Sequence, residues 1–141
     1  MCDSALRFPE ILIMENMTKT SARALAFRVV MMNQQEFYGF IRDQGIGMTK
    51  LAYRLGEASS PSDLPVLESC QAKARELFRQ CDMKRDLQQA GSYAMIGQFF
   101  SEAIKFYSAL KEAKVGTPVS TAASQFGVDA GVLSHAIHSR L

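Results

Sequence analysis

The chain has two histidines, His135 and His138, three positions apart near its C-terminal end. On a helix that spacing puts both on one face, with Ser134 beside them. Side chains of these types can hold a metal, drive acid–base catalysis, or exchange hydrogen bonds with a polar partner. A metal needs further ligands at set spacing. Cys70 and Cys81 have ten residues between them, whereas paired zinc ligands sit about two to four apart. Catalysis needs a nucleophile or an acid–base pair, held in place. The chain has no phosphate-cradling glycine loop, no nucleophile elbow and no paired carboxylates beside a base. These residue types therefore predict no enzyme, no cofactor and no metal. What they leave is binding, because serine and histidine hydrogen-bond to base edges and phosphates.

The stretch around them, "GTPVSTAASQFGVDAGVLSHAIHSRL", reads as helix, glycine break and second helix. Pro118 suits a first helical turn, where its missing N–H costs nothing. Ala122 and Ala123 are small enough for a close helix crossing. Gly127 suits a turn that asks for positive φ, with Phe126 and Val128 flanking it. Leu133, Ala136 and Ile137 make an inner face. Asp129, Ala130, Gly131, Ser134, His135 and His138 are left to face outward. Two readings follow: a helix-turn-helix that reads DNA, with its second helix in the major groove, or a helical hairpin that only completes a core.

This stretch resembles the helix-turn-helix of the KorA/TrfB-type plasmid repressors. The resemblance rests on Gly116, Pro118, Thr121, Ala123, Gly127, Gly131, Ser134, Ala136 and His138, with aliphatics at Val128, Leu133 and Ile137. It implies a transcriptional repressor that binds double-stranded DNA as a homodimer on a palindromic operator. It also implies that Gly131, Ser134 and His135 sit where the second helix meets DNA. Ser120, Asp129, Ala130, His138 and Arg140 complete the expected DNA contacts from the motif itself. Phosphate contacts dominate affinity, and within the motif Arg140 is the sole cation. Lys105, Lys111 and Lys114 on the preceding helix are the expected additional cations, Lys111 and Lys114 foremost.

The elements that must position this motif read as helices throughout, so the expected fold is an all-α bundle. Residues 1–114 form a body that dimerises or binds a partner, and 115–141 form the closing unit, packed as one domain. "ILIM" near the start fits a short strand or, with no strand to pair with, a short helix after Pro9. Apolar residues from Ala22 to Ile41 recur at three- and four-residue steps, predicting one helix from about Thr20, capped by Thr18, Thr20 or Ser21. Gly45 stops it. A short helix follows over Met48–Glu57. "GMTKLAYRLGE" has the spacing of a first motif helix, with Lys50 and Arg54 as its phosphate contacts. "ASSPSD" follows it, so it reads as an ordinary helix. Ser62 or Asp63 caps a helix to about Gln89. Gly91 interrupts, and Ser92 starts a last long helix to about Lys114. That helix is apolar over a wide arc from Tyr93 to Leu110, as expected of a central helix or one shared with another subunit.

The net charge is +2, and the charges are spread evenly. That is no nucleic-acid footprint by itself. Three cysteines, Cys2, Cys70 and Cys81, make no disulfide framework and point to a reducing, cytoplasmic setting. No apolar stretch approaches the ~20 residues of a membrane span, and no signal-peptide pattern opens the chain. Met14, Met17, Met31, Met32, Met48, Met83 and Met95 are expected as adaptable core filler. Met31 and Met32, beside Phe27 and Phe37, offer an alternative: a face for a protein partner. Phe99, Phe100, Phe106 and Tyr107 are expected in the core, or failing that in a dimer interface. The rival to DNA reading is accordingly a non-enzymatic interaction module, an adaptor or inhibitor from a mobile element or secretion system.

Overall fold

The computed structural model describes residues 19–138. The "ILIM" segment, Cys2, Met14, Met17, Thr18 and Arg140 lie outside the described residues, and so do the side chains of Thr20 and Ser21. Among the described residues there are seven helices and no strand. They are α1 (Lys19–Val30), α2 (Gln34–Gln44), α3 (Met48–Ala58), α4 (Leu64–Met83), α5 (Leu87–Lys114), α6 (Val119–Phe126) and α7 (Ala130–His138).

The long helix α5 is the axis of the molecule. It touches α2, α3, α4, α6 and α7 along its length. This accounts for its wide apolar arc: Ile96, Phe99, Phe100, Ala103, Phe106 and Leu110 are all buried within this one chain. A helix apolar on most sides is one enclosed on most sides. Phe99 meets Phe37 of α2 edge to face at 5.9 Å and Phe100 at 5.5 Å. These rings, with Leu25, Leu51, Leu55 and Leu67, form the larger core.

Two helix boundaries differ from the sequence expectation. The helix expected from Thr20 to Ile41 is two helices, parted at Met31–Asn33. The cause is a capping box. Asn33 Oδ1 accepts the Glu36 N–H at 2.8 Å, and Glu36 Oε1 accepts the Asn33 N–H at 3.0 Å. That reciprocal pair starts a new helix more strongly than the apolar rhythm continues the old one. The second difference lies at Gly91, which does not interrupt. The break comes earlier, at Lys84–Asp86, where Arg85 has φ of 59° and the Asp86 carboxylate accepts the Gln89 N–H at 3.2 Å. Ser92 therefore starts nothing. It lies inside α5, buried, with its hydroxyl unpartnered.

Most other expectations hold. Gly45 closes α2 with φ of 72°. "ASSPSD" is the turn between α3 and α4; Asp63 stands at the position before α4, but the expected side-chain cap is not made there. Its carboxylate accepts instead from the Ser60 N–H at 3.0 Å and from Arg23 Nη2 at 3.1 Å, tying α1 to the start of α4. Cys70 is core packing, and burial pushes its thiol pKa up. The methionines divide. Met32, Met48 and Met95 pack against the core, but Met31 and Met83 are not filler, at 81% and 84% exposed. Phe37 is buried, so it is no part of a partner face; Phe27 is exposed. No described helix is long and apolar enough to cross a membrane.

Candidate functional site

The closing unit begins where α5 ends. Gly116 turns the chain with φ of 111°, and Thr117 Oγ1 donates to Glu112 Oε2 at 2.9 Å, pinning the exit. Pro118 stands at the cap of α6, one position ahead of its first turn, and its carbonyl accepts the Ala122 N–H at 2.9 Å. Gly127 ends α6 in the left-handed conformation, φ 72° and ψ 40°, which a side chain would strain. Its N–H, and that of Val128 at 3.0 Å, return to the Ala123 carbonyl.

Asp129 then starts α7. Its Oδ1 accepts the Val132 N–H at 2.9 Å, and its carbonyl accepts the Leu133 N–H at 3.0 Å. The carboxylate is committed to the helix start, where it also complements the positive end of the helix dipole. Gly131 leaves it room: a Cβ there would stand 3.1 Å from Asp129 Oδ1. Small size at Gly131 thus has a local cause, independent of any partner.

Leu133 and Ala136 are buried, and Val132 and Ile137 pack beside them. They meet Ala122 and Ala123 of α6, Phe106, Ala109 and Leu110 of α5, and Tyr53 of α3 in a second, smaller core. The opposite stripe of α7 is outward. Ala130, Gly131, His135 and His138 are exposed, and Ser134 is half-buried. Ser134 Oγ lies 3.1 Å from His138 Nδ1; which of the two donates follows the imidazole tautomer. His135 makes no such bond among the described residues and presents its ring to solvent. The candidates on α7 are therefore brought together on one face, and Ser120 is exposed on α6.

The cations divide. Lys111 and Lys114 are exposed in the last turn of α5, at the same end of the molecule as the closing unit. Lys105 is half-buried and pairs with Glu102 at 3.6 Å. The segment containing Lys50 and Arg54 is an ordinary helix, with Gly56 inside α3 rather than at a turn. His135 and His138 gain no metal-binding neighbours: no group of three or more histidine, cysteine or carboxylate side chains comes together among the described residues.

Sequence reasoning missed Tyr53. Its ring stacks on Phe106, with centroids 4.6 Å apart and 19° between planes. Its hydroxyl oxygen accepts the Asp129 N–H at 3.3 Å. Burial raises the phenol pKa, and the Asp129 N–H partly offsets it. The available signal was a tyrosine among Leu51, Ala52 and Leu55 on an apolar helix, since a buried phenol needs a partner.

No family model, curated protein or solved structure matches this chain.

Proposed function

We propose that the protein binds double-stranded DNA through the outward face of α7, as a dimeric transcriptional regulator acting on a palindromic site. The observation that carries this is the pairing of a tight glycine-turned helix pair with a second helix whose exposed stripe is small at one end and hydrogen-bonding at the other. Ala130 and Gly131 are exposed at the start of α7, and His135 and His138 are exposed further along. Small residues at a helix start let the backbone approach a groove closely, and histidine reads base edges or phosphates. Lys111 and Lys114 supply phosphate contacts nearby. Ser120, exposed on α6, and Arg140, outside the described residues, are the further contacts of this reading. Asp129 acts by capping α7, not by touching DNA. Two copies would set their α7 helices in successive major grooves, about 34 Å apart. The action is equilibrium binding without catalysis or cofactor.

The test is selection from a random duplex library by the full chain, at about 50 mM and about 200 mM salt. An enriched palindrome that persists at the higher salt supports the reading. Retention without enrichment, lost at the higher salt, contradicts it.

A second reading is favoured by Phe27 and Met31, 52% and 81% exposed and four residues apart at the end of α1. They suit a protein partner. Under that reading the closing unit is structural, and no duplex is enriched.

A further inference from the structure

The bond between Tyr53 and Asp129 joins residues 76 apart in sequence. It also connects the body to the residue that starts α7. We propose that Tyr53 is a positioning residue: by accepting the Asp129 N–H, its hydroxyl sets the aim of α7 on DNA. This rests on the reading of α7 as the DNA-reading helix.

Three features make Tyr53 suited to the role. Its ring is buried and stacked on Phe106. Its helix is fixed as well. One turn on, Gly56 meets α5 so closely that a Cβ would collide with the Ala103 carbonyl oxygen. The hydroxyl oxygen is thus a fixed point of the body. At the other end of the bond, Asp129 is the cap of α7, through its contacts to the Val132 and Leu133 N–H groups. A shift at Asp129 is a shift of the whole helix.

The Gly127 and Val128 bonds to the Ala123 carbonyl tie α7 to α6 rather than to α3 and the body. Leu133 and Ala136 hold the helix down by apolar burial, which is non-directional. Such contacts set how near α7 lies, and leave its rotation and slide free by comparison. A hydrogen bond has a preferred distance and angle. Base-edge contacts share that demand, whereas phosphate contacts by flexible lysines tolerate displacement. Loss of the tie should therefore weaken specific binding and spare nonspecific binding. A residue that only stabilised the fold would move both together.

The test compares the full-length chain with Tyr53→Phe, which keeps the stacked ring and removes the acceptor. Leu133→Val is the control, since it loosens packing and leaves the tie. Each is measured for affinity to the enriched duplex and to a random duplex of equal length, and for amide exchange at Asp129. The expected result for Tyr53→Phe is about a tenfold loss of affinity for the enriched duplex, with random-duplex affinity unchanged. Asp129 amide exchange should rise about tenfold. Leu133→Val should lower Tm and keep the ratio of the two affinities. An unchanged ratio in Tyr53→Phe, or unchanged exchange at Asp129, overturns the proposal. A wild-type chain that enriches no duplex overturns the DNA reading itself, and is seen before any variant is made.

Discussion

Around Phe37, Phe99 and Phe100 the body fills its interior with rings set edge to face. Around Phe106, the closing unit is held instead by Ala109, Ala122, Ala123 and Ala136, with Leu133 as its one large buried aliphatic from α7. Large rings interlock, and each contributes much of the burial. Alanines bring helix backbones near one another and contribute little area apiece. The body is consequently redundant, and the closing unit depends on a handful of contacts: Leu133, the Tyr53–Phe106 stack and the Asp129 bonds. Such a division keeps His135 and His138 out of both cores, while the attachment of α7 rests on a few residues. It also means the two regions can be disturbed separately.

The largest separation should come from Phe99→Ala in the larger core. Phe99 is fully buried, and its truncation should cost about 4 kcal/mol. Chemical denaturation is expected to show a lower midpoint for the whole chain, since α5 runs through both cores. Leu133→Ala should cost about 3 kcal/mol, but its effect should be local. Amide exchange should quicken across α6 and α7 while α4 and the first half of α5 keep their protection. Loss of protection throughout would mean that the smaller core is not a separable unit. Asp129→Ala removes the cap of α7 and should cost about 1 kcal/mol. Helix content should fall at α7 alone, as amide chemical shifts would show. The smallest change runs the other way. Ser92 buries a hydroxyl with no partner, so Ser92→Ala should be neutral or raise stability by up to about 1 kcal/mol. A clear drop in Tm for that variant would show that the hydroxyl has a partner after all.

The closing unit was the more legible region, because its instructions are local. Gly127 announces a positive φ, and Ala122, Ala123 and Leu133 announce a close crossing; each acts within a few residues of its place. The central position of α5 was legible for the same reason, through its wide apolar arc. The body hid its joints. The apolar rhythm from Ala22 to Ile41 keeps its phase across Met31–Asn33, so it conceals the box that Asn33 and Glu36 form. Gly91 looked like a stronger breaker than Asp86. It stands in an exposed helix interior, in ordinary helical geometry with open space about its Cα, and helix interiors tolerate glycine at about 1 kcal/mol. The positive φ of Arg85 had no signal in its residue type. Exposure of Met31 and Met83 was illegible too, since both stand at helix ends whose positions depend on those unseen joints. Tyr53 escaped because its partner lies in another element, and sequence spacing carries no record of a contact made only by the fold.

The central claim is that DNA meets the outward face of α7. Titrating the enriched duplex into isotope-labelled protein, and following amide chemical shifts residue by residue, tests it most directly. The account predicts that the largest changes fall on Ala130, Gly131, Ser134, His135 and His138, with smaller ones at Lys111 and Lys114. Changes centred on Phe27 and Met31, or none along α7, would contradict it.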